Sequence, residues 1–122
     1  MKQKILIAED NDNNRYLTQF LLEQQGFIVI TAVNGNDAIK TARTEKPDLI
    51  IMDIQMPELD GYETTKLLQA DEELKHIPVV GVSSYAMAGD REKAIEAGFT
   101  GYIEKPINPE SFCDEIKAYL NL

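Results

Sequence analysis

The chain has little with which to hold nucleic acid, form a disulfide or cross a membrane. Only 12 basic residues stand against 21 acidic ones, a net charge of −9. That surplus repels phosphate backbones and anionic lipid, and favours cations or basic protein surfaces as partners. A single cysteine, Cys113, excludes an intrachain disulfide and fits a reducing cytoplasm. It lies beside Phe112 and near Ile116 and reads as a packing residue. No apolar run approaches the length of a membrane span, and the opening MKQKILIAED breaks off at Ala8, too short for a secretory signal. Gly35, Gly61 and Gly89 form neither a G-x-G-x-x-G nor a Walker pattern, so no nucleotide loop is indicated. The one histidine, His76, lies in the acidic connector ADEELKHIP and reads as a solvated loop residue. Repeats, low-complexity tracts and linker-like stretches are missing too. The 122 residues therefore read as one domain, 1–122.

What is present is an alternation. With 43% hydrophobic and 27% charged residues, the chain can bury an ordinary globular core. Short apolar runs read as strands: KILIA (4–8), FIVITA (27–32), LIIM (49–52), PVVGVSS (78–84) and GYIE (101–104). Helical patterns follow each run. The first carries Leu17, Phe20 and Leu21 at helical spacing and stops at Gly26. The second has Ala38, Ile39 and Ala42 on one face and stops before Pro47. The third turns Leu67 and Leu68 inward, and the fourth, GDREKAIEAG, ends at Gly98. The fifth starts with Asn108 as N-cap and Pro109 at N1, and spaces Phe112, Ile116 and Leu120 every fourth residue. Continuous apolar strands separated by amphipathic helices predict an α/β fold, a parallel sheet covered on both faces.

The stretch PDLIIMDIQMPELDGYE carries the chemistry. Asp53 closes a run suited to a strand buried on both faces, where an ionised carboxylate needs compensation. In an open parallel sheet, ligands gather beyond the carboxyl ends of the strands. Those ends hold Glu9 and Asp10, then Asp53, then Ser83 and Ser84, then Lys105. Two like charges ~5 Å apart repel by roughly 3 kcal/mol at an effective dielectric near 20. Three such acids need more positive charge than one lysine brings. Mg2+ suits a few carboxylates, waters and a phosphate oxygen. Lys105 and Ser83 are left for other phosphate oxygens, and aspartate is a nucleophile toward phosphoryl groups.

In their order and spacing, ILIAEDN, PDLIIMDIQMPELDGYE, IPVVGVSSYAM and GYIEKPI resemble a CheY-like response-regulator receiver domain, over essentially the whole chain. The resemblance implies a flavodoxin-like (βα)5 fold with strand order 2-1-3-4-5, and a stand-alone receiver similar to those of cell-cycle control. It makes Asp53 the phosphoacceptor. Glu9, Asp10, Asp53 and the backbone carbonyl of Gln55 become the Mg2+ ligands. Ser83 becomes the responding hydroxyl and Lys105 the contact to a phosphoryl oxygen, with a cis Lys105–Pro106 bond. Tyr102 becomes the switch aromatic, and Gln55 and Tyr85 the positions that tune signal lifetime. Ser84 stands where the family has a small alanine, which leaves two neighbouring hydroxyls. The implied donor is a sensor histidine kinase or histidine phosphotransfer protein. The implied target meets the face of helix four, strand five and helix five. The chain ends two residues after Leu120, so an output domain is not expected.

Plainer readings stand beside these. Glu9 and Asp10 suit a polar turn before a helix, Asp53 an ion pair with Lys105, Tyr102 simple packing, and Asn11, Asn13 and Asn14 loop and capping roles. A constitutive docking module is one rival function. An aspartyl-phosphate hydrolase of the haloacid-dehalogenase type is another. Such enzymes resemble a D-x-D arrangement, and Gln55 takes the place of their general acid.

Overall fold

A computed structural model describes residues 2–56, 59–83 and 90–120, except the side chains of Asp90 and Arg91. Its elements alternate strictly: β1 (Lys4–Ala8), α1 (Asp12–Gln24), β2 (Ile28–Ala32), α2 (Gly35–Glu45), β3 (Leu49–Asp53), α3 (Gly61–Ala70), β4 (Val79–Ser83), α4 (Asp90–Ala97), β5 (Gly101–Glu104) and α5 (Pro109–Tyr119). The five strands are all parallel, in the order β2-β1-β3-β4-β5. The expected doubly wound sheet is what forms.

The apolar runs explain why. Every residue of β3 and β4 is buried, as strands covered on both faces require. One side of the sheet packs Leu6, Ile50, Met52 and Val79 with Ala38, Ala42, Leu68, Ala94 and Ala97 from α2, α3 and α4. The other packs Ile5, Ile7, Ile51 and Val80 with Leu22 of α1 and Phe112, Cys113 and Ile116 of α5. Cys113 is buried as expected, its thiol 3.5 Å from the Leu21 carbonyl. Burial also pushes that thiol's pKa up.

Side-chain oxygens satisfy amides at the helix starts. Asn11, Asn34 and Asn108 cap α1, α2 and α5, and Asp60 and Glu63 form a reciprocal capping box on α3. Gly98 ends α4 at φ +103°, in the left-handed region a glycine reaches without strain.

Two helical faces depart from the sequence reading. On α1, Thr18 and Leu22 are buried, while Leu17 and Phe20 stand 43% and 47% exposed beside Tyr16 at 70%. Helical spacing identifies a stripe but not its orientation. Here the Thr18 hydroxyl bonds the Asn14 carbonyl at 2.8 Å, so a residue that looks polar can go inward. On α3, Thr64, Thr65 and Leu68 are buried and Leu67 is 51% exposed. The space above the sheet there admits threonine, and the adjacent leucine is turned to solvent.

Gly61 sets how closely α3 approaches the end of β3. A Cβ at Gly61 would lie 2.6 Å from the Asp53 carbonyl oxygen and 2.7 Å from the Ile54 Cα, and its N–H donates to the Ile54 carbonyl at 2.9 Å. Backbone cannot yield as a flexible side chain can. Gly61→Ala is therefore expected to cost about 1–3 kcal/mol, as overpacking does, and to shift the peptide that carries Asp53. Urea unfolding measures the first effect and the phosphorylation rate the second. Unchanged values for both would show that α3 is free to withdraw.

Candidate functional site

The rim of the sheet gathers side chains from four strand ends. Glu9 follows β1, with its N–H donating to the Ala32 carbonyl at 3.0 Å. Asp53 is the last residue of β3 and only 4% exposed; Ser83 is the last of β4 and 1% exposed. Lys105 follows β5, tied back by its N–H to the Ser83 carbonyl at 2.8 Å. The Lys105–Pro106 peptide is cis, as expected.

Carboxylate oxygens of Glu9, Asp10 and Asp53 all lie within 4.8 Å of one another. Glu9 and Asp53 are buried and Asp10 is exposed. The Lys105 ammonium donates to Glu9 Oε1 at 2.7 Å and to Asp53 Oδ1 at 3.4 Å. Burial pushes the Asp53 carboxyl up to about 7, and the neighbouring Glu9 adds to the rise; Lys105 pulls the other way without prevailing. Burial also acts to raise Glu9, but its hydrogen bonds to Asp53 and Lys105 and the charge of Lys105 hold it below the ordinary range. Burial and the neighbouring Glu9 therefore favour the neutral form of Asp53, while Lys105 favours the charged form of both acids. Only a further cation or a higher pH turns Asp53 into a full carboxylate.

Two contacts were not legible in the sequence. Arg15 of α1 donates from Nη1 to the Glu9 carbonyl at 2.9 Å and pairs with Asp12. It holds the turn from which Glu9 and Asp10 project. A cation in the first turns of a helix opposes the helix dipole, and that mismatch is the signal that could have singled it out. The second contact involves Gln55, whose side-chain Nε2 donates to Ser83 Oγ at 2.8 Å. The sequence reading gave Gln55 a backbone carbonyl and a place near the phosphoryl group, but no bond to the hydroxyl.

Of the remaining candidates, Tyr102 is half-buried on β5 and packs against the cluster beneath α3 and α4. With Ile95, Phe99 and Tyr119 it lines a cleft of about 140 Å3. His76 is exposed in the connector leading to β4, at the opposite end of that strand from Ser83. Ser84 and Tyr85 lie outside the described residues.

An acidic cluster thus stands at the carboxyl end of a 2-1-3-4-5 sheet, faced by a half-buried lysine. The family model for the response regulator receiver domain matches residues 5–117. The chain belongs to this family. It is a CheY-like receiver of two-component signalling. The polar-differentiation response regulator DivK of Brucella anthropi is 46% identical over 120 residues, covering 98% of each chain. Among solved structures, the receiver domain of the Pseudomonas aeruginosa sensor histidine kinase PA1611 is 30% identical, with a TM-score of 0.91 and full coverage of both chains. That structure carries a magnesium ion coordinated in its active-site cleft. The chemotaxis protein CheY4 of Vibrio cholerae is 26% identical, with a TM-score of 0.91 over 97% of this receiver and 98% of CheY4. Among the described residues of this receiver, no helix is long and apolar enough to cross a membrane.

Proposed function

We propose that residues 1–122 act as one phosphoacceptor unit of the cytoplasm, which takes a phosphoryl group from a phosphohistidine onto Asp53 and passes the signal on through protein contacts. The observation that carries this reading is the convergence of Glu9, Asp10 and Asp53, with Lys105 across from them. The donor set suits Mg2+: all the side-chain ligands are oxygens, and the charge count is short of positive charge. Their carboxylate oxygens lie within 4.8 Å of one another, close enough for one cation to draw them together. Glu9, Asp10, Asp53 and the Gln55 carbonyl would hold the ion, which when bound neutralises charge on the phosphoryl oxygens.

In the transfer, an Asp53 oxygen bonds to phosphorus as the phosphorus–nitrogen bond breaks. The electron pair of that bond stays on the imidazole. Lys105 holds a phosphoryl oxygen, and Ser83 donates its O–H to another. A hydrolase reading lacks its general acid, because Gln55 occupies that position and its amide already engages Ser83.

The donor is a histidine kinase or phosphotransfer protein, and α1 offers it a surface. Tyr16, Leu17 and Phe20 form an exposed apolar patch, with Tyr16 stacked on Phe20 at 6.4 Å. The patch continues into a cleft of about 380 Å3 lined by Asn14, Leu17, Lys105, Pro106 and Ile107. A protein seated there would lie against the lysine of the site. Phe20→Glu is expected to slow phosphotransfer from the protein donor at least about 10-fold, since central aromatics dominate interfaces. Phosphorylation by acetyl phosphate should stay unchanged. Equal slowing with both donors would count against this docking face. The output face is that of α4, β5 and α5, where Ile95 stands 67% exposed beside the cleft of Tyr102 and Tyr119.

The reading is tested by incubation with acetyl phosphate, with and without Mg2+, followed by intact mass. One phosphoryl adduct that requires Mg2+ supports the receiver. Multiple turnover supports a hydrolase, and no adduct supports a constitutive docking module.

A further inference from the structure

We infer that the side chain of Gln55 is a latch on the Ser83 hydroxyl, and that its amide-to-hydroxyl bond holds the domain in its resting state. The inference rests on the proposed phosphorylation of Asp53 and names what opposes the response to it. Three observations support it. The bond is short, 2.8 Å from Nε2 to Oγ, and spans the loop after β3 and the last residue of β4. Its partners differ in exposure, since Gln55 is exposed and Ser83 is only 1% exposed. The main chain at the end of β4 is held from both sides. The Ile54 N–H donates to the Val82 carbonyl at 3.1 Å, and the Lys105 N–H donates to the Ser83 carbonyl at 2.8 Å. The backbone being tied, the freedom left to the Ser83 hydroxyl is rotation about its Cα–Cβ bond.

Hydrogen-bond chemistry makes this rotation a switch. Gln55 donates to Ser83 Oγ, which fixes where the hydroxyl sits. Phosphoryl oxygens on Asp53 only accept, so Ser83 must turn its O–H toward them. A hydroxyl can donate and accept at once, so the latch opens only as rotation about Cα–Cβ carries Oγ away from the amide. An exposed amide returns to water at little cost when released, so the latch is worth one ordinary net hydrogen bond and can be opened. Gln55 sits two residues beyond Asp53, in the loop that leaves β3, so the latch lies next to the acceptor in the chain. Gln55 is thus a positioning residue that acts through Ser83.

The test uses the full chain with Mg2+ and beryllofluoride, a stable mimic of the aspartyl phosphate, in a double-mutant cycle of Gln55→Met and Ser83→Ala. Methionine keeps the length of glutamine and removes the donor. Gln55→Met is expected to bind beryllofluoride about 3- to 10-fold more tightly, the range that one released hydrogen bond gives. In the Ser83→Ala background the same change is expected to have no effect. Melting temperatures establish that all variants fold. An unchanged or weaker affinity in Gln55→Met overturns the latch, as does an equal gain in the Ser83→Ala background. If the folded wild type binds no beryllofluoride, the phosphoacceptor reading falls, and the latch with it.

Discussion

Asp53→Asn is expected to form no acyl phosphate and to be more stable than the wild type in metal-free buffer above neutral pH. Both results follow from one carboxyl group. Its folded pKa is about 7 against an ordinary 3.8, because burial and Glu9 disfavour its charge. For an acid raised in this way, the stabilising contribution is fully present below its unfolded pKa and is lost as pH rises through 7. The wild type therefore weakens between about pH 4 and pH 7, and the asparagine variant escapes that loss. At about 1.4 kcal/mol per pKa unit, the variant should gain on the order of 2–4 kcal/mol at pH 8 and almost nothing at pH 4. Urea unfolding at the two pH values measures it. Added Mg2+ should narrow the gap at pH 8, because a ligand that binds the folded acid stabilises it by mass action. Equal stability of both proteins at pH 8 without metal would show that Asp53 is already ionised without cost. A full-yield adduct in the variant would remove Asp53 from the role.

The sequence carried the architecture because the signals were redundant. KILIA and GYIE match β1 and β5 residue for residue, and Asn108 and Pro109 mark the start of α5. The site was legible for a related reason, since parallel strands deliver their carboxyl ends to one rim whatever the details. What could not be read was orientation. On α1 the face turns on a threonine satisfying its hydroxyl inside, as Thr18 does against its own helix. On α3 Thr64 does the same with the Asp60 carbonyl, while Thr65 is buried on the same helix by packing alone. Long-range side-chain bonds were equally hidden. Gln55 and Ser83 stand 28 residues apart, and nothing local to either indicates the other. Arg15 is closer to legible, because its unfavourable place near a helix start asks for an explanation.

Lys105→Met should separate metal binding from phosphoryl transfer, moving the two in opposite directions. The ammonium lies 2.7 Å from Glu9 and 3.4 Å from Asp53, and it lowers the pKa of both. Methionine keeps most of the stem and removes the charge. The first consequence is protonation: with less to oppose burial and Glu9, Asp53 holds its proton to higher pH. The second is metal affinity. A cation at that distance from Glu9 and Asp53 competes with Mg2+ for the same oxygens and repels it. At a pH alkaline enough to ionise Asp53 in both proteins, Mg2+ should bind about 3- to 10-fold more tightly in the variant, equivalent to roughly 1 kcal/mol of relieved repulsion. The third is reactivity. Phosphorylation by acetyl phosphate should fall about 100-fold even at saturating Mg2+, the scale of losing one preorganised charge aimed at a developing oxyanion. The chain has no tryptophan, so tyrosine fluorescence can follow the titration. Weaker Mg2+ binding in the variant would mean that Lys105 organises the acidic cluster rather than competing for it. A preserved phosphorylation rate would remove it from contact with the phosphoryl group.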